Sequence, residues 1–296
     1  MPAPRRIRGT APGGLLAALL AVTTASACAG PGETEAEAVG AHAADESSTG
    51  TAEGFPEGTF DYQLGASYEP PAGVGTVVRD STAEPAPDMY SICYVNGFQT
   101  QPGDLEWWLL EHPDLILRDA SGEPVVDPGW PAERILDTSD EDKRADIAEI
   151  LAETIATCAE KGFDAVEFDN LDSDLRSQGL LTQDHNLALA TELVALANGH
   201  GMAAGQKNAA EVTERGRDEV GFEFAVAEDC AVWSECSAYT GVYGDDVIAV
   251  EYPDALEEAG MTFAEACDAE GAPSRMILRD LDLVGPEHGD YLYEAC

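Results

Sequence analysis

Eight short apolar runs, each of strand length and each set off by turn residues or a helix-period stretch, constrain this chain more than any other feature. They fall at residues 60–65, 76–80, 90–96, 165–170, 202–207, 222–228, 247–252 and 275–280. Apolar residues recur with helical spacing over 142–161, 184–200 and 254–269, each stretch opening near an acid and the first two closing at Gly162 and Gly201. Strands alternating with helices argue a parallel sheet. Eight of them over about 240 residues suit a closed (β/α)8 barrel, the TIM-barrel fold, better than an open doubly wound sheet. No glycine-rich phosphate loop follows the first run, which further disfavours a dinucleotide fold. Residues 99–137, with Trp107, Trp108 and Trp130, fit no simple unit and are read as an elaborated loop with a short extra strand near Ile116.

The beginning of the chain reads differently. Arg5, Arg6 and Arg8 precede an apolar run over 15–22, and Ala25-Ser26-Ala27-Cys28 follows. This is the layout of a secretory signal, and Cys28 resembles the lipidated cysteine of a bacterial lipoprotein box. Ala25 stands where such boxes usually carry leucine, so cleavage after Ala27 without lipid is the alternative. No other apolar run is long enough to span a bilayer. Residues 29–58 have almost no bulky apolar side chain and cannot bury enough surface to fold. The expected domains are a signal with a lipidation cysteine over 1–28, a disordered acidic linker over 29–58 and the barrel over 59–296. The expected location is extracellular, lipid-anchored to the cell membrane or else secreted, with no membrane contact beyond the lipid.

An oxidising compartment makes disulfides of the six remaining cysteines. Cys230 with Cys236 closes a short loop, Cys267 with Cys296 staples the chain end, and Cys93 is left with Cys158. A zinc site is disfavoured, because the close cysteine pairs such sites use are missing. The formal charge of −42, from 15 Lys and Arg against 57 Asp and Glu, excludes a nucleic-acid partner. Such a field would concentrate a cationic ligand, although on composition alone solubility accounts for it as well.

In a barrel of this kind, active-site groups come from strand C-terminal ends or the loops just after them. The run Phe163-Asp-Ala-Val-Glu-Phe-Asp169-Asn170 ends in polar side chains that have no place in a core, and Phe222-Glu-Phe-Ala-Val-Ala-Glu228-Asp229-Cys230 ends the same way. The other strand-end candidates are Gln63, Arg79, Asp80, Tyr94, Asn96, Glu167, Gln206, Lys207, Asn208, Glu251, Tyr252 and Asp280. No histidine is among them, which weighs against metal-dependent amidohydrolase chemistry and against a Ser-His nucleophile. Paired carboxylates remain, the chemistry of glycoside cleavage.

These segments, with Ala204-Gly-Gln-Lys207-Asn208, Ile248-Ala-Val-Glu251-Tyr252, Phe60-Asp-Tyr-Gln63-Leu-Gly65 and Cys93-Tyr-Val-Asn-Gly-Phe-Gln99, resemble glycoside hydrolase family 114, endo-α-1,4-polygalactosaminidases with a TIM-barrel fold. The resemblance runs over residues 59–296. It implies retaining endo-hydrolysis of α-1,4-linked galactosamine or N-acetylgalactosamine polymer, with Asp169 as nucleophile and Glu228 as general acid/base. Gln63, Tyr94, Glu167, Asn170, Lys207, Asn208, Glu251 and Tyr252 are the expected substrate contacts, with Glu167 equally suited to orienting Lys207. Neither a metal nor an organic cofactor is called for, the expected partner is a cationic amino-sugar polysaccharide, and a monomer suffices. The competing expectation is a cell-surface polysaccharide-binding lipoprotein with the barrel but little turnover.

Overall fold

A computed structural model describes residues 54–296. The expected signal, Cys28 and the linker as far as residue 53 lie outside the described residues. Nine strands form one sheet in chain order. They are β1 (Thr59–Gln63), β2 (Val74–Asp80), β3 (Tyr90–Asn96), β4 (Ala165–Asp169), β5 (Ala203–Lys207), β6 (Phe224–Glu228), β7 (Val247–Glu251), β8 (Arg275–Arg279) and β9 (Tyr293–Ala295). The first eight run parallel, each beside the next, and β9 returns antiparallel on β8. Every expected run is a strand. The ninth has three residues, too few to show a pattern.

Alternation along each strand divides the core in two. Phe60, Ile92, Ala165, Phe224, Val226, Ile248, Val250 and Ile277 fill the barrel, while Val95, Val166, Phe168, Ala204, Ala225, Ala249 and Met276 pack outward with the helices. Gly205 is required by this packing, because a Cβ there would lie 2.2 Å from the Phe224 ring. At the N-terminal end Phe55 stacks edge-on against Tyr90 and Phe224. Phe55, which composition alone assigns to the linker, thus packs against the barrel.

β8 and β1 lie side by side, but no backbone ladder joins them. Buried backbone polar groups need partners, and a side chain supplies them at this seam. Arg279, fully buried, donates to Asp61 Oδ1 at 2.8 Å, to the carbonyls of Leu292 at 2.9 Å and Val284 at 3.1 Å, and to that of Tyr62. Tyr293 of β9 donates its hydroxyl to the Phe60 carbonyl at 3.0 Å. The Cys267–Cys296 disulfide pins the chain end behind it; Cys93–Cys158 and Cys230–Cys236 are the other two bridges.

Helix α1 spans Leu105–Glu111, α2 Glu141–Lys161 and α3 Gln183–Gly199. Asp140 caps α2 by accepting from two backbone amides, and Gly162 ends it at φ 92°, a left-handed turn that glycine takes without strain. The helix expected over 254–269 is two, Pro253–Ala259 and Phe263–Cys267. Gly260 at φ 68° stops the first, and a Thr262–Glu265 capping box starts the second. The extra strand expected near Ile116 is not a strand either. Residues 99–137 hold α1 and four isolated bridges, among them Ile116 with Leu136, over a small cluster of Leu117, Val125, Ile135 and Leu181.

Candidate active site

The C-terminal mouth of the barrel gathers Tyr62 from β1, Tyr94 from β3, Glu167 and Asp169 from β4, Lys207 from β5, Glu228 from β6 and Tyr252 just after β7. Lys207 is the hub. Its ammonium nitrogen lies 3.5 Å from Glu167 Oε1, 3.5 Å from Asp169 Oδ1 and 3.5 Å from Glu228 Oε2, and donates to the Tyr62 hydroxyl at 2.8 Å. The rings of Tyr62 and Tyr94 stand 5.3 and 5.5 Å from it. Burial pushes the ammonium toward losing its proton, but Asp169, Glu228 and Glu167 outweigh this and hold its pKa well above the ordinary lysine value.

The three acids differ in access. Glu167 is sealed, at 0% exposure, whereas the side chains of Asp169 and Glu228 keep 19% and 28%. Asp169 accepts from the Tyr94 hydroxyl at 2.6 Å and from the Asn170 amide at 2.8 Å. Glu228 accepts from the Tyr252 hydroxyl at 2.7 Å and from Asn208 Nδ2 at 3.1 Å. Burial pushes the Glu228 carboxyl up, but Lys207, Tyr252 and Asn208 together pull it below the usual glutamate value. Burial raises Glu167 to about 7, against the pull of Lys207 and of the Tyr62 hydroxyl at 2.5 Å.

A left-handed residue follows each strand that carries a charged hub group: Asn170 at φ 68° after β4, Asn208 at φ 52° after β5 and Asp229 at φ 53° after β6. Asn and Asp tolerate this region better than other side-chain-bearing residues. The turn lets each amide work locally. Asn208 both donates to Glu228 and accepts from its backbone amide at 2.8 Å. Asn170 ties β4 to the long loop, donating to Asn96 Oδ1 at 2.9 Å and accepting from Gln99 Nε2 at 3.0 Å and Arg176 at 2.9 Å.

Two expected contacts are elsewhere. Gln63 and Glu251 are the last residues of their strands but lie on the outward parity. Gln63 sits in the seam network, accepting from Arg79 at 3.0 Å and donating to Asp61 at 2.8 Å. Glu251 is fully buried behind β7 and accepts from the Ala231 amide at 2.9 Å. Its carboxyl is pushed by burial to about 7, and its second oxygen has no hydrogen-bond partner. With Cys230 and Cys236 it forms a buried group of metal-ligand spacing, but both sulfurs are spent in the disulfide.

Two side chains at the mouth lie outside the expected set. Tyr62 was legible in principle, two residues after inward Phe60. Glu133 had no signal, since it reaches the site from the long loop, where Asn96 Nδ2 donates to its Oε2 at 3.0 Å. Burial pushes the Glu133 carboxyl to about 7, opposed by that hydrogen bond and assisted by the nearby charge of Asp169.

The profile of glycoside-hydrolase family GH114 matches residues 41–296. No curated protein sequence matches. Among solved structures, Aspergillus fumigatus Ega3 in complex with galactosamine superposes with a TM-score of 0.64 at 20% identity, over 83% of this chain and 98% of that one. The glycoside hydrolase domain of PelA from Pseudomonas aeruginosa does so with 0.51 at 14% identity, over 81% and 99%. At these identities the likeness establishes a shared barrel fold.

Proposed function

This chain belongs to glycoside-hydrolase family GH114 and is a glycoside hydrolase; from that membership and the geometry of the mouth, we propose retaining endo-cleavage of an α-1,4-linked galactosamine or N-acetylgalactosamine polymer, with Asp169 as nucleophile and Glu228 as general acid/base. One observation carries the assignment of roles. Of the three carboxylates around Lys207, only Asp169 and Glu228 keep access to solvent, and each lies 3.5 Å from the same ammonium nitrogen. Those two oxygens therefore cannot be further apart than twice that distance. This bound admits the short carboxylate separation, about 5–5.5 Å, that a retaining double displacement uses.

Asp169 is aimed by the Tyr94 hydroxyl and the Asn170 amide, which donate to it, and by Lys207 at 3.5 Å. It attacks the anomeric carbon as Glu228 delivers a proton to the departing glycosidic oxygen. In the free site Glu228 lies below the ordinary glutamate value, whereas its role and sequence setting lead one to expect a protonated acid. Substrate binding reverses this balance in the proposal, because a sugar covering the exposed edge of Glu228 removes water and strengthens the burial that already pushes it up. Once Asp169 is esterified its negative charge is gone, Lys207 bears more strongly on Glu228, and the carboxylate is suited to take a proton from the incoming water.

Ega3 was solved with galactosamine, an amine-bearing sugar, and the net charge of −42 here suits such a polymer. Export with lipid attachment at Cys28 completes the proposal, supported by three disulfides of a kind that persists in oxidising compartments. The test is mass spectrometry of products from α-1,4-polygalactosamine incubated with the wild type and with Asp169→Asn, with NMR of the new reducing end. Wild-type oligosaccharides of retained α configuration, absent with the variant, are expected. A β product refutes retention, undiminished cleavage by the variant refutes the nucleophile, and binding without cleavage by the wild type turns the reading to a polysaccharide-binding lipoprotein.

A further inference from the structure

The long loop over 99–137 brings one acid to the mouth that the hydrolytic steps above do not use. Glu133 is 7% exposed, and Asn96, its hydrogen-bond partner, closes β3 directly beside Asp169 in the sheet register. Its other oxygen makes no hydrogen bond among the described residues, yet is not one of the polar atoms sealed from solvent. A carboxylate held at one oxygen and open at the other, next to the proposed nucleophile, is arranged to receive a cation. Trp130 stands at the other end of the same turn, which the Glu133 amide closes by donating to the Trp130 carbonyl at 2.9 Å, and its ring is half exposed. A half-exposed indole on the turn that carries the carboxylate suits a sugar ring that bears an ammonium group.

We propose that Glu133 is a specificity determinant, its carboxylate pairing with the ammonium group of a non-acetylated galactosamine unit bound beside Asp169, so that the site discriminates a free amine from an acetamide. The proposal rests on the reading of the chain as a galactosamine-polymer hydrolase. An acetamide is neutral and bulkier, so it cannot repay the burial of the charged carboxylate. The groups acting on Glu133 are Asp169 and Asp127, which favour its protonated form, and Asn96 and Arg176, which favour the charged one. A bound ammonium joins the second pair, so binding near neutral pH expels a fraction of a proton.

The experiment compares wild type, Glu133→Gln and Trp130→Ala on α-1,4-polygalactosamine and on its fully N-acetylated counterpart, with calorimetric titration of a galactosamine oligosaccharide in two buffers of different ionisation enthalpy. Gln keeps the acceptor for Asn96 and removes only the charge. Expected is a loss of kcat/KM on the order of 10- to 100-fold on the amine polymer for Glu133→Gln, as befits one charged hydrogen bond, with little change on the acetylated one. Trp130→Ala should weaken both alike. Proton release on binding should be seen for wild type and vanish in Glu133→Gln. Equal losses on both polymers, or no change in either kinetics or proton release, overturn the role of Glu133. A wild type that binds the oligosaccharide with Glu133-dependent proton release but cleaves neither polymer overturns the hydrolase reading and leaves the ammonium site standing.

Discussion

Glu167→Gln is the substitution whose thermodynamic consequence follows most directly from the geometry. The carboxyl is fully buried, hydrogen-bonded to Tyr62 and 3.5 Å from Lys207, and burial moves it from the ordinary 4.5 to about 7. A folded-state value above the unfolded one means that the native protein holds this proton more tightly than the unfolded chain. The resulting stabilisation is fully present below pH 4.5 and is lost as pH rises through about 7. A move of this size is worth about 3 kcal/mol. Urea unfolding of wild type and variant at pH 5 and pH 8 measures it. The wild type should lose about 2.5 kcal/mol more than the variant between the two conditions, because glutamine does not titrate and every other group is common to both. Parallel pH dependences would refute the claim that Glu167 carries a strained charge, and would mean that Lys207 compensates it fully.

Glu228→Gln should lower kcat on the polymer by about 10²–10⁴-fold, the usual contribution of a general acid, while initial-rate and binding measurements should show the oligosaccharide still bound. Tyr252→Phe removes a hydrogen bond that holds Glu228 low, so the alkaline limb of the kcat/KM profile, where Glu228 loses its proton, should move to higher pH. Replacing Cys267 and Cys296 together by serine opens a loop spanning 29 residues and should cost about 3–4 kcal/mol in denaturant unfolding.

The barrel was legible because strand patterning is local: β1 to β8 each show a short apolar run between turn residues. The proposed acid pair was legible for a related reason, since Asp169 and Glu228 interrupt apolar runs where a core residue would otherwise stand. The misplacement of Gln63 and Glu251 has one cause. Both stand at strand ends, whereas alternation decides which face a side chain joins, and counting from inward Phe60 and Val250 selects Tyr62 and Tyr252. The helix expected over 254–269 broke because a capping box at Thr262 outweighed a continuous apolar period. Glu133 was beyond such reasoning, because an irregular loop of isolated bridges has no period from which to predict where a side chain lands.

The β8–β1 seam has a consequence for how this protein comes into being. Seven of the eight junctions around the barrel are ladders that neighbouring segments of chain make for themselves. The eighth depends on Arg279, on a strand that starts at Tyr293 and on a disulfide to Cys296. A chain synthesised only as far as β8 therefore has the barrel's staves but lacks the segment that completes the clasp. Closure waits on residues 284–296, and the mouth, whose Tyr62 lies beside that clasp, is completed with them.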